Sequence, residues 1–225
     1  MERTIEVKQL EKSFGEKKAL TDISFNVDEA EIVGFLGPNG AGKSTTIQIL
    51  TGQIGRDSGE VKVLNLDPEK ESVNLREKIG ILPEREDPPS FLTGNEYLDF
   101  VSDIREEEID KDEWIERLRM EGKMDRLTQD LSKGERQKLL IAQAFFHNPE
   151  IVFIDEPMIN LDPVIQEEVK TIFKEFDGTV FLCTHNVDLA GEVCDTVYFI
   201  EDGEVTEKHE NTDELKQKFL DAYDY

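Results

Sequence analysis

The residues best suited to chemistry begin at position 37. Gly37-Pro38-Asn39-Gly40-Ala41-Gly42-Lys43-Ser44-Thr45 fits the pattern of a glycine, four variable residues and Gly-Lys-Ser. Glycines let a backbone wrap an anion closely, so that several N–H groups point inward at phosphate oxygens. A helix starting near Lys43 would add the positive end of its dipole. Lys43 then supplies a point charge to the outer phosphates, and Ser44 a hydroxyl for Mg2+. The plain alternative is a glycine-rich turn without a ligand. Position in the chain argues against it, because the loop follows an apolar strand and precedes a helical stretch.

A second group lies far downstream. Ile151-Val152-Phe153-Ile154-Asp155-Glu156-Pro157 is a short apolar strand ending in two acids. In a parallel sheet the carboxyl ends of the strands open onto the ligand crevice. Asp155 is placed there to hold Mg2+ through its water shell. Glu156 is placed to orient and polarise a water that attacks a phosphate. Alone, this could be a charged strand end with no task; the phosphate loop upstream favours the chemical role.

These groups need elements to position them. Thr4 to Leu10 and Ile23 to Val27 read as strands, with turns near Gly15 and Asp28. Glu31 to Leu36 is the strand that runs into the phosphate loop, and Thr45 to Thr51 the helix that leaves it. Glu60 to Leu64 and Lys78 to Leu82 read as further strands, with a short helix between them. Residues 84–90 read as a loop. Helical patterning then takes over at Glu96 to Val101, Trp114 to Met120 and Glu135 to His147. Strands return at Ile151 to Ile154, Thr179 to Cys183 and Thr196 to Ile200. A helix follows Pro163, a natural first-turn proline. Glu201 to Glu204 is a hairpin turn, and Thr212 to Tyr225 reads as an acidic helix. The expectation is one α/β domain over 1–225, with a nucleotide-binding core at about 1–83 and 149–225. A helical lobe is inserted at 84–148.

Composition narrows the partners. Asp and Glu number 51 against 26 Lys and Arg, a net charge of −25. Such a surface repels nucleic acid and anionic lipid. An anionic ligand must therefore be captured by a local device. No run approaches the ~18 apolar residues of a spanning helix, so no direct membrane insertion is expected. Cys183 and Cys194 lie in apolar stretches and read as buried thiols of a reducing cytosol.

Taken together and in this order, the motifs resemble those of the ATP-binding-cassette ATPases over essentially the whole chain. Leu131-Ser132-Lys133-Gly134-Glu135 resembles the family signature LSGGQ, and Asn160-Leu161-Asp162 the D-loop. His185 matches the switch histidine. Phe14 falls where the family stacks an aromatic on adenine, and Pro83-Glu84 where it has its Q-loop. The resemblance implies a P-loop cassette with an N-terminal antiparallel β-subdomain, a mostly parallel core sheet and an inserted α-helical subdomain. It implies ATP and Mg2+ as ligands, with Ser44, Glu84 and Asp155 at the metal and Glu156 and His185 catalytic. The loop Gly37 to Thr45, Phe14 and Asp162 would bind nucleotide, and Ser132 and Gly134 would do so in trans, on the ATP held by a second cassette. A separate integral membrane permease would hold the pair at the cytoplasmic face of the cell membrane.

The departures are specific. Glu84 stands for Gln, Lys133 for the second signature glycine, and Glu135 for the signature Gln. This variant pattern looks like that of cassettes serving ABC-2-type exporters. Ser132 with Glu135 also reads as a capping box opening a helix. Two rival readings stand beside this one. A soluble, non-transport cassette ATPase usually carries a second cassette, a coiled-coil insertion or basic elements. A P-loop kinase or GTPase would leave the signature, D-loop and histidine unexplained.

Overall fold

In the computed structural model the described residues are 3–84, 87–105, 110–210 and 215–222. The expected loop at 84–90 lies within them except for residues 85 and 86. The expected C-terminal helix is described only as Leu215–Ala222, its remaining residues lying outside them.

Strands β1 (Arg3–Phe14) and β2 (Lys17–Asp28) form an antiparallel hairpin, and β4 (Ser58–Val63) pairs with the other edge of β1. Alternation does this work: Ile5, Val7, Ile23, Phe25, Val61 and Val63 are buried, and polar residues intervene. The larger sheet has the order β5-β6-β7-β3-β8-β9. Its strands are β3 (Ile32–Leu36), β5 (Ile79–Leu82), β6 (Ile151–Asp155), β7 (Thr179–Thr184), β8 (Thr196–Glu201) and β9 (Glu204–Glu210). The first five are parallel, and β9 returns antiparallel to β8.

The central strands are apolar at nearly every position because both faces are covered. Toward the small sheet point Phe35, Phe153, Phe181 and Tyr198. Phe25 of β2 packs on three of these rings at 5.2–5.7 Å, joining the two sheets. Toward the other face point Leu36, Ile154, Leu182 and Phe199. That face carries α5 (Lys133–Phe145), α6 (Pro163–Glu175) and α7 (Val187–Val193). Helix α1 (Lys43–Leu50) lies with the first face, through Ile47, Ile49 and Leu50. The chain also forms α2 (Ser72–Lys78), α3 (Gly94–Arg105), α4 (Lys111–Arg117) and α8 (Leu215–Ala222).

Helices α3, α4 and α5 follow one another between β5 and β6. They are anchored to the core through Phe145, whose ring lies 6.3 Å from Trp114 of α4 and 5.8 Å from Phe173 of α6. Helix α4 begins three residues before its expected start, because the Asp110 carboxylate accepts from Glu113 N at 3.1 Å and caps it earlier. Its end comes sooner as well, with Arg119 in a left-handed conformation at φ 52°. Helix α7 was not expected; Asn186 opens it by accepting from Leu189 N at 3.0 Å. The return strand β9 was also unforeseen beyond its turn. Among the described residues no helix is long and apolar enough to cross a membrane.

Candidate nucleotide site

Three neighbouring strands deliver the site. β3, β7 and β6 lie side by side, with Leu36 opposite Thr184 and Asp155 opposite Cys183. Their carboxyl ends therefore emerge together. β3 leads into the phosphate loop, β6 into Asp155 and Glu156, and β7 into Thr184 and His185.

The loop is stitched to its surroundings. Gly37 N donates to Thr184 O at 3.3 Å, Ala41 N to Pro38 O at 3.3 Å, and Gly203 N to Ala41 O at 3.0 Å. Gly42 is the N-cap of α1, at φ 108° and with no side-chain acceptor over the helix end. The first N–H groups of α1 thus lack intrahelical partners and form a ready anion site. A Cβ on Gly42 would lie 2.6 Å from Leu20 Cδ2 and 2.9 Å from Ala19 O, so glycine is required both for φ and for the approach of β2. Lys43 is buried. Its ammonium donates to Gly37 O at 2.7 Å and Pro38 O at 3.0 Å, and sits 3.9 Å from Glu156 Oε1.

Glu156 is held on several sides. Its Oε2 accepts from the Thr184 hydroxyl at 3.0 Å. Its Oε1 accepts from His185 N at 3.0 Å and from His185 Nδ1 at 2.7 Å. Asp155 is buried beside Ser44, and its Oδ1 has no partner among the described residues. Burial pushes the Asp155 carboxyl above the usual range; the nearby Ser44 hydroxyl opposes this, and Glu156 and Glu84 add to it. An orphaned carboxylate oxygen, a hydroxyl and a nearby second carboxylate form a hard-oxygen set suited to Mg2+.

Lys43, Ser44, Asp155 and Glu156 line a cleft of about 340 Å³ together with Phe14, Lys17, Ala19, Asn39, Gly40, Gly42, Thr45 and Glu84, and Thr184 and His185 stand behind Glu156. Phe14 is 52% exposed at the edge of the cleft, where its ring is open to a ligand. Lys17, Ala19 and Thr184 were not singled out in the sequence. Thr184 had a signal, standing directly before His185 at the strand end; Lys17 and Ala19 are placed by the β1–β2 register alone.

Ser132, Gly134 and Asp162 do not line this cleft. Ser132 caps α5, with its Oγ accepting from Glu135 N at 3.2 Å and Glu135 Oε2 accepting from Ser132 N at 2.7 Å. Asp162 caps α6, accepting from Val164 N at 3.1 Å and Ile165 N at 3.2 Å. A Cβ on Gly134 would stand 2.6 Å from Asn160 O, so the α5 start and the turn before α6 meet through that glycine. The predicted residues thus fall into two constellations on one chain.

A parallel sheet with a glycine-rich loop, a following helix and paired acids at the next strand ends defines a P-loop nucleoside triphosphatase. The model of the ABC transporter family matches residues 20–159. An uncharacterised ABC transporter ATP-binding protein of Bacillus subtilis, YdbJ, is 33% identical over 97% of this chain and 74% of its own. The lipopolysaccharide export system ATP-binding protein LptB of Haemophilus influenzae is 32% identical over 94% of each chain. A dimeric post-hydrolysis state of an ATP-binding cassette bound to ADP and Pi superposes with a TM-score of 0.81 at 27% identity, over 92% of this chain and 99% of that one. The chain belongs to the ABC transporter family and is an ATP-binding, ATP-hydrolysing subunit of a transporter. The non-transport alternative is set aside.

Proposed function

We propose that the chain hydrolyses ATP between two cassettes and passes the resulting motion to a membrane permease. The observation that carries this is the fixed carboxylate of Glu156, 3.9 Å from Lys43 Nζ at the mouth of the phosphate loop. Lys43 and the first N–H groups of α1 bind the β- and γ-phosphates, and Phe14 stacks on the base. Ser44, Asp155 and Glu84 would hold Mg2+, which when bound offsets the charge of the outer phosphates. Glu156 accepts a proton from the water that attacks the γ-phosphorus, as the bond to the ADP oxygen breaks. His185 and Thr184 keep that carboxylate aimed.

The second constellation supports closure in trans. Ser132 and Gly134 at the α5 N-terminus, with Asp162 beside them, are the surface that would meet a γ-phosphate held by another cassette. That cassette is a second copy of this chain or a different one. The chain divides into a core at about 1–83 and 149–225 and a lobe at 84–148.

The permease would dock on the lobe. Phe100 and Ile104 are exposed one turn apart on α3, and Phe91 before it is 75% exposed. Leu92 instead packs inward. Docking there places the protein at the cytoplasmic face of the membrane, held by the permease and without insertion of its own. An ABC-2-type exporter partner fits the variant signature and the 32% identity to an export-system cassette.

Glu156→Gln tests the core of this reading. ATP binding should persist, steady-state hydrolysis should fall by about 100-fold or more, and an ATP-dependent dimer should accumulate on size exclusion. Lys43→Ala should lose ATP binding. Native-rate turnover in Glu156→Gln would remove Glu156 from the role of base.

A further inference from the structure

Two lysines line the cleft, and only one belongs to the phosphate loop. Lys43 is buried and satisfied by loop carbonyls. Lys17 is different. It opens β2, is exposed, and lies opposite Phe14 across the hairpin. The pairing is irregular at Ala19, since Lys12 lies opposite Leu20 and Ser13 opposite Lys18, and Lys17 and Ala19 both line the cleft. Ala19 in turn abuts the phosphate loop, its carbonyl 2.9 Å from where a Gly42 Cβ would stand. Two residues of strand span about 7 Å. Lys17 therefore stands between the ring at Phe14 and the loop at Gly42.

Its charge has no other employment. Among the described residues no carboxylate pairs with Lys17, nor does Lys17 have any further polar partner. Lys12, which also flanks the Phe14 ring at 5.4 Å, is tied to Asp57 at 3.1 Å. In a chain with 51 acidic residues against 26 basic ones, carboxylates are everywhere available as partners. A lysine kept unpaired beside a cleft is placed for an anion that arrives there.

We propose that Lys17 is a nucleotide-binding residue whose ammonium contacts the phosphate nearest the ribose. This rests on the nucleotide lying in the cleft with its base against Phe14. The outer phosphates have Lys43 and the α1 N-terminus, and the base has the ring; the join between them faces Lys17. The ligand class is any adenosine phosphate, since the first phosphate is common to all of them.

The experiment measures ATP and ADP affinity by calorimetry, and adenosine by competition against a fluorescent ATP analogue. The proteins are wild type, Lys17→Ala, Lys17→Arg, Lys17→Glu and Lys43→Ala. Lys17→Ala should weaken ATP and ADP alike by about tenfold, the low end for a charge-assisted hydrogen bond, as suits an exposed site. Lys17→Glu should weaken them further and Lys17→Arg should restore them, with adenosine affinity unchanged across the Lys17 variants. Unchanged ATP and ADP affinity in Lys17→Ala, with Lys43→Ala still losing ATP, would overturn the inference and leave the phosphate-loop reading intact. Equal loss for adenosine would also overturn it, marking Lys17 as packing for the base. If Lys43→Ala too binds ATP normally, both readings fall.

Discussion

Glu156 takes φ 50°, a left-handed conformation that a residue with a Cβ adopts at a cost of roughly 1–3 kcal/mol. What holds it is local: the backbone bond from Glu156 N to Cys183 O at 3.0 Å, and the donors from Thr184 and His185. Thr184 is buried at the end of β7, and its hydroxyl also accepts from Asn186 N at 3.0 Å. Thr184→Val keeps the shape and the β-branch but removes the donor to Oε2. We expect kcat for ATP to fall about tenfold, with KM nearly unchanged, because the lost bond aims a base and touches no phosphate. A rise in KM at constant kcat would count against this role. Asp155 and Glu156 could be read from the sequence because two acids ending an apolar strand are conspicuous. Thr184 had only its place before His185 as a signal, and a threonine at the end of a strand is also ordinary strand composition. Its function exists only through the pairing that sets Asp155 beside Cys183.

At the scale of elements, α5 explains one departure from the family pattern. Glu135 closes the capping box and also accepts from Lys123 at 2.5 Å. The Lys123 ammonium, joined by the Ser132 amide, holds its carboxyl down to about 2. A carboxyl whose folded value lies below its unfolded one adds stability above the unfolded value near 4.5, lost as pH falls toward about 2. Glu135→Gln keeps the cap but drops the ion pair. The variant should be less stable than wild type at neutral pH, and the gap should close as both are titrated from above pH 4.5 toward 2. Urea melts across that range give the difference directly, and a gap constant with pH would show that Lys123 contributes nothing. Elements with their own stop and start signals were legible, such as α6 behind Asp162 and Pro163 or β3 running into the glycine loop. Helix α7 was not, since its seven residues carry too little periodicity to stand out from the strand before it. Strand β9 was not either: Glu204–Glu210 is mostly polar and exposed, and only the β8 hairpin keeps it extended.

For the whole molecule the governing quantity is a charge of −25. The site escapes that field locally, through the helix end, Lys43 and Lys17, so ATP binding needs no basic surface. Association of two copies has no such shelter. Each cassette brings the full acidic surface toward its partner, and the closed dimer must hold both at short range. Screening shortens the reach of that repulsion from about 10 Å at 0.1 M salt to about 3 Å at 1 M. Two consequences differ in sign from the usual behaviour of ion-paired proteins. The monomer should melt at higher temperature as NaCl is raised, because self-repulsion within one chain weakens. The ATP-trapped homodimer of Glu156→Gln should tighten from about 0.05 to 0.5 M NaCl, provided ATP is re-titrated to saturation at each step so that weaker phosphate binding is not mistaken for weaker association. Sedimentation velocity reads the dimer constant at each salt. If the dimer loosens instead, attraction between opposite charges across the closed surface outweighs the net repulsion. The Lys133 side chains at the two α5 starts, each exposed beside the surface proposed to meet the partner's γ-phosphate, would then be the first charges to remove.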